Sequence, residues 1–207
     1  MIKIGVTGLI ASGKSEFCKY LSEYTNYPII DADELSRQVS AKGSAAIEEI
    51  EMTFGSEYII NGEINRKKMA ELVFNNKEAL LKLNAILHYR VGQKYFELIK
   101  RYEEIGIEGI IYDCPLLVQA NIENTVDIVV LITSDYDVQI QRLTEIRKMS
   151  IEEAVSRINS QIPYEEQKNY ADVVIENNES KEDLKADIPR IYALIKEVLD
   201  KKKLLHN

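Results

Sequence analysis

Apolar residues along this chain follow two rhythms. Five stretches are short and nearly continuous: Ile2-Lys3-Ile4-Gly5-Val6-Thr7, Tyr27-Pro28-Ile29-Ile30, Gly109-Ile110-Ile111-Tyr112-Asp113, Asp127 to Ile132 and Ala171 to Ile175. That is the pattern of strands buried on both faces. Pro28 confines its strand to an edge or leaves the proline at its start. Between these runs apolar positions recur at three-and-four spacing, as Phe17 and Leu21 do after Ser15, which is the helical period. Residues 33 to 41 read as a helix. From Gly43 to about Lys100 the strand rhythm is absent: Asn61-Gly62 marks a turn, and Arg66 to Phe74 and Lys77 to Lys100 read as helices. Two helices are expected between the last two strands, the second opened by the capping box Ser150-Ile151-Glu152-Glu153. A final helix runs from near Ser180 to about Lys203. Strand alternating with helix predicts an α/β fold, a doubly wound sheet of five parallel strands whose ligands sit at the carboxyl ends.

Residues 8 to 15, Gly-Leu-Ile-Ala-Ser-Gly-Lys-Ser, change the picture from fold to chemistry. They fit G-x-x-x-x-G-K-[ST], the phosphate-binding loop, and they stand between the first strand and the first helix as that motif requires. Gly8 and Gly13 permit a tight turn that aims the N–H groups of Ala11, Ser12, Gly13 and the helix start at one anion. The helix adds its unpaired donors and its positive end. Lys14 supplies a full charge for the outer phosphates, and the Ser15 hydroxyl is placed for Mg2+. The expectation is a nucleoside triphosphate site.

Composition narrows the class. The chain has 207 residues, enough for a single domain spanning 1–207. At 45% hydrophobic and 29% charged it reads as an ordinary soluble globular protein. No apolar run approaches a membrane span, and no signal segment precedes the first strand, so a cytoplasmic location and no membrane partner are expected. A net charge of -8 argues against nucleic acid as a partner. Lys201-Lys202-Lys203 reads as a solvated helix end. Cys18 and Cys114 are too few for a disulfide framework and read as buried or half-buried thiols. Composition leaves the oligomeric state unspecified.

Three acids follow predicted strands. Asp33 is assigned to the acceptor hydroxyl, as base or orienting group, with Asp31 as the cap of the next helix; a cap is also the alternative for Asp33. Asp113 closes an apolar run and reads either as a Walker-B acid near Mg2+ or as a strand-end carboxylate bonding a loop N–H. A guanine clamp of the Asn-Lys-x-Asp kind is missing, since Asn76-Lys77-Glu78 lacks the aspartate, and no Asp-x-x-Gly switch follows Asp113. A small-molecule kinase with ATP as donor remains. The helical block 43–105 is the candidate acceptor-binding insertion.

An ordered series of further stretches resembles the dephospho-coenzyme A kinase family over nearly the whole chain. They are Gly5 to Ser15, Ile30-Asp31-Ala32-Asp33 with Arg37 and Gly43, Phe54-Gly55, Gly62 to Arg66, Val73-Phe74 and Leu83-Asn84 leading to His88. Pro115-Leu116-Leu117, Gln139 to Arg142, Ser160-Gln161 and Ala171 to Ile175 complete it. The resemblance implies a P-loop nucleoside-kinase-like core, an acceptor-binding helical insertion and a lid at about 140–165. It implies transfer of the ATP γ-phosphate to the 3'-hydroxyl of dephospho-coenzyme A, with Mg2+, and Asp33 as catalytic aspartate. Arg37, Arg66 and His88 fall at acceptor-site positions; read without the family, the arginines could be exposed helix residues and His88 a packed core histidine. The chain departs from the family in three places. Tyr89 follows His88 where proline is usual, and Gln119 stands where an acid is usual. In the lid, Arg142 matches the first of two arginines four apart, but Ile146 holds the second place and Arg147 lies one residue later. Arg142 or Arg147 is expected to clamp the transferring phosphate. A kinase of the same fold with another acceptor (a nucleotide or small alcohol), and a nucleotide-binding homologue without transfer activity, are the alternatives.

Overall fold

The apolar runs form the expected sheet in a computed structural model, which describes residues 1–205. In chain order the first elements are β1 (Ile2–Gly8), α1 (Lys14–Thr25), β2 (Ile29–Asp31), α2 (Ala32–Val39) and α3 (Ala45–Phe54). A hairpin of β3 (Ile59–Ile60) and β4 (Glu63–Ile64) follows, then α4 (Arg66–Asn75), α5 (Lys77–Glu104), β5 (Gly109–Asp113) and β6 (Ile128–Thr133). Next come α6 (Tyr136–Gln141), a π turn (Arg142–Ile146), α7 (Ile151–Asn159) and α8 (Tyr164–Lys168). β7 (Val173–Glu176) and α9 (Lys181–Leu205) complete the order. Contacts divide these into two compact units, Met1–Ile30 with the chain from Ile107 onward, and Asp31–Gly106.

The sheet order is β2-β5-β1-β6-β7. β1 runs parallel to both β5 and β6, and β6 parallel to β7. Pro28 sits just before the edge strand β2, and its carbonyl accepts from Ile111 N at 3.0 Å. The central strands are apolar on both sides because helices cover both: Ile4, Val6, Ile128, Val130 and Ile132 are sealed from solvent. On one face Phe17, Cys18 and Leu21 of α1 meet Leu184, Ile188, Ile191, Ile195 and Leu199 of α9 over these strands. Cys18 and Cys114 are both buried thiols, as expected.

Two acids expected inside strands lie just before them instead. Asp127 accepts from Lys3 N at 2.7 Å, and Asp172 accepts from Val129 N at 2.8 Å. Each carboxylate takes a neighbouring strand's donor at the sheet margin, so regular strand starts one residue later. Ser150 caps α7 by accepting from Glu153 N at 3.1 Å, in agreement with its sequence signature. Lys201 and Lys203 are exposed, as expected of a solvated helix end, while Lys202 is partly buried and reaches Asp172 at 2.8 Å.

In the second unit Ala46, Ile50, Met69 and Ile86 form a small core, with Glu49 and Arg90 paired at 2.8 Å. The β3–β4 hairpin corrects the expectation that 43–100 lacks strands. Asn61 (φ 55°) and Gly62 (φ 82°) supply the two positive-φ residues of its turn. Two-residue strands are too short to imprint a period of two on the sequence.

Candidate active site

β1 ends at Gly8 and α1 begins at Lys14, so the intervening loop must reverse direction over the carboxyl edge of the sheet. Gly13 does so at φ +87°, in the left-handed region where a side chain is strained. A Cβ there would also collide with the Asn177 side-chain amide. Gly8 serves differently from expectation. Its backbone has no positive φ; a Cβ would lie 2.7 Å from the Ile132 carbonyl, so close approach to β6 excludes it. The second left-handed residue is Ala11, at φ +59°.

The loop is tied down from outside at each step. Leu9 N donates to Ile132 O at 3.1 Å, Ile10 N to Gln161 Oε1 at 2.7 Å, and Ser12 N back to Leu9 O at 3.2 Å. The Ala11 carbonyl accepts from Arg142 at 3.2 Å, and the Ser12 carbonyl from Asn177 Nδ2 at 2.7 Å. Ser12 is buried and Ser15 is exposed in the first turn of α1.

Lys14 Nζ is paired with Asp113 Oδ1, both side chains largely out of solvent. Asp113 is 7% exposed at the end of β5 and in register with Val6 of β1. Asp113 thus lies against a lysine ammonium. Arg142 spreads its guanidinium over Ala11 O, Ser134 Oγ (3.0 Å) and Glu179 O (3.0 Å). Burial lowers its pKa, and the nearby Glu16 carboxylate counters part of that. Glu16 itself is pushed up by burial, but the Lys181 hydrogen bond and the Lys181 and Arg142 charges bring it below the ordinary carboxylate value.

One residue after the π turn, Arg147 is exposed, and its N–H donates to Arg142 O at 3.4 Å. A π turn closes over five residues instead of four. Arg147 therefore follows Arg142 much as residue i+4 follows residue i in an α-helix. The turn thus absorbs one residue more than an α-helix would between Arg142 and Arg147.

Of the predicted residues, Gly8, Ala11, Ser12, Gly13, Lys14, Ser15, Asp113 and Arg142 come together at the carboxyl edge of the sheet. Asp33, Arg37, Arg66 and His88 belong to the second unit. Asp31 is the N-cap of α2, accepting from Glu34 N at 2.9 Å, and Asp33 is exposed in the first turn. Arg37 donates twice to Glu34, at 2.9 and 2.8 Å, which raises its pKa and lowers that of Glu34. Arg66 is exposed at the first position of α4. His88 is exposed on α5, which excludes a packed core histidine. Sequence reasoning missed Asn177 altogether, and it quoted Gln161 without a role. Nothing in the run Glu176-Asn177-Asn178 distinguishes a loop anchor from turn residues.

The loop, its glycines and the pairing of Lys14 at the start of α1 with Asp113 at the end of β5 describe a phosphate-binding core. A family model described as dephospho-CoA kinase matches residues 2–183. The chain belongs to the dephospho-CoA kinase family. A relative from Fusobacterium nucleatum named dephospho-CoA kinase is 44% identical over 193 residues, covering 93% of this chain and 97% of that one. The solved dephospho-CoA kinase from Campylobacter jejuni superposes with a TM-score of 0.68 at 27% identity, covering 93% of this chain and 96% of that one. A shikimate kinase from Acinetobacter baumannii, solved with shikimate, shares the fold at a TM-score of 0.54 and 16% identity, covering 95% of this chain and 94% of that one. The fold is that of P-loop kinases, and dephospho-CoA kinase family membership makes this chain a phosphotransferase.

Proposed function

We infer that the protein is a cytoplasmic kinase that transfers the γ-phosphoryl group of ATP to the 3'-hydroxyl of dephospho-coenzyme A, giving coenzyme A and ADP. The observation that carries this is the left-handed Gly13 opening α1 beside the Lys14–Asp113 pair, in a chain of this family. Phosphoryl transfer asks the protein for positioning and charge neutralisation. The loop amides and the α1 N-terminus hold the polyphosphate, and Lys14 exchanges Asp113 for the outer phosphate oxygens.

In the step itself the ribose 3'-oxygen bonds to the γ-phosphorus while the bond to the β–γ bridging oxygen breaks. The hydroxyl proton goes to Asp33. Asp31 already fills the capping role in α2, which leaves Asp33 without that duty. Arg37 on α2, with Arg66 and His88 in the insertion 43–105, all exposed and at the family's acceptor positions, receive dephospho-coenzyme A. In the lid, 140–165, the two arginines divide the work. Arg142 braces the loop through the Ala11 carbonyl, and Arg147 clamps the transferring phosphate from the position the π turn gives it.

The Ser15 hydroxyl and the Asp113 carboxylate fit Mg2+: both are hard oxygen donors, and the ion takes few protein ligands beside phosphate and water. When bound, the ion neutralises charge on the β- and γ-phosphate oxygens.

A coupled ADP-release assay with ATP, with and without dephospho-coenzyme A and Mg2+, tests the reading. Release is expected only with all three present. Release driven equally by a nucleotide or small alcohol would assign another acceptor, and ATP binding without release would leave a nucleotide-binding protein.

A further inference from the structure

A trans peptide is planar, so its carbonyl and the next N–H point in opposite directions. Fixing a loop carbonyl outward therefore fixes the following N–H inward. Three peptide units of the phosphate loop have different holders. The 9–10 peptide is gripped by Ser12 N on its oxygen and by Gln161 on its nitrogen. The 11–12 peptide is gripped by Arg142 on its oxygen, while its N–H turns back to Leu9 O. In the 12–13 peptide the oxygen is held by Asn177 Nδ2 at 2.7 Å, which turns the opposed Gly13 N–H the other way, toward the side of the loop assigned to the polyphosphate.

Asn177 is built for this. It is 6% exposed, just past the end of β7. Its own N–H donates to Thr133 O at 2.8 Å, and its carbonyl accepts from Ser134 Oγ at 2.7 Å. With the backbone pinned on both sides, the side-chain amide is delivered to one place. That place is also where a Cβ on Gly13 would fall, so the asparagine and the glycine require each other.

We propose that Asn177 is a positioning residue for nucleotide binding: it orients the 12–13 peptide so that the Gly13 N–H points at the polyphosphate. The proposal rests on the assignment of this loop to a triphosphate. It separates two substitutions that a packing role would rank the other way. Asn177→Asp has nearly the same shape but turns a carboxylate oxygen toward the Ser12 carbonyl and places a negative charge behind the anion site. Asn177→Ala leaves a void and an unpaired carbonyl.

Calorimetric titration of ADP, with no acceptor present, is the experiment. For the Asp variant the affinity is expected to fall by about a hundredfold, and for the Ala variant by about tenfold, the range in which an unsatisfied or repelled carbonyl is felt. The KM for ATP should rise in step while the KM for dephospho-coenzyme A stays put. A larger loss for Ala than for Asp, equal losses in both KM values, or unchanged ADP affinity overturns the proposal. In the unmodified protein the Asn177 side-chain amide protons should remain protected from solvent exchange with ADP bound. Rapid exchange in that state overturns it independently of whether the variants fold. An unmodified protein that binds neither ADP nor ATP would instead remove the triphosphate assignment beneath it.

Discussion

Two side chains and one missing side chain dominate the chemistry. Gly13 combines a left-handed backbone with the Asn177 amide at its back, so Gly13→Ala meets strain and collision together. The expected result is ADP affinity reduced by at least about tenfold, read by titration, since left-handed placement alone costs about 1–2 kcal/mol. Lys14→Ala removes the charge proposed above to meet the outer phosphates. By analogy with the loss of one preorganised donor this should cost about 3 kcal/mol of transition-state stabilisation, or roughly a hundredfold in kcat/KM. A fall of less than about threefold would contradict the role given to Lys14. The sequence motif made both residues legible, because a phosphate loop has fixed spacing. Asn177 was illegible for the opposite reason: it lies over 160 residues away from Ser12, and only the sheet brings them together.

At the level of elements, the segment proposed above as a lid is the instructive case. Sequence spacing set Arg147 about 100° away from the place an α-helix would give the second arginine. The π turn over Arg142–Ile146 restores that place by closing on the fifth residue. Deleting the exposed Glu145 should convert the turn to α-helix and keep the arginines aligned, retaining turnover within about tenfold. Arg147→Ala should lower kcat by about 10³. Steady-state assays of the two variants check the pair, and equal losses would mean that alignment is not what the turn provides. The five main strands and the long helices were readable because their apolar periods extend over many residues. The β3–β4 hairpin, α8 and the π turn were not, being shorter than any period that could announce them. Asp127 and Asp172 read as strand residues because pattern alone does not reveal a carboxylate accepting a neighbouring strand's N–H.

Across the whole molecule, charge is arranged in small local pairs on a surface of net -8. Hydrogen bonds from Arg37, Lys82, Arg190 and Lys201 lower the carboxyls of Glu34, Glu78, Asp187 and Glu197, and Glu152 is lowered by its backbone N–H and Ser150. Groups depressed in the folded state stabilise it above their ordinary values, 4.5 for Glu and 3.8 for Asp, and lose that contribution as pH falls through the folded values. Thermal denaturation should thus show a melting temperature insensitive to these groups down to about pH 5.5 and declining below about pH 4.5, with the decline softened by salt. A decline beginning at neutral pH would point to groups other than these. The last feature concerns synthesis. The helix that carries the phosphate loop is sealed by Leu184, Ile188, Ile191, Ile195 and Leu199, and is further fastened by Lys181 to Glu16 and Lys185 to Glu23. In a growing chain α1 is therefore made about 150 residues before α9, which lines it. Until α9 has formed, the apolar side of α1 lacks the cover it has in the folded protein, an exposure of the kind that favours aggregation.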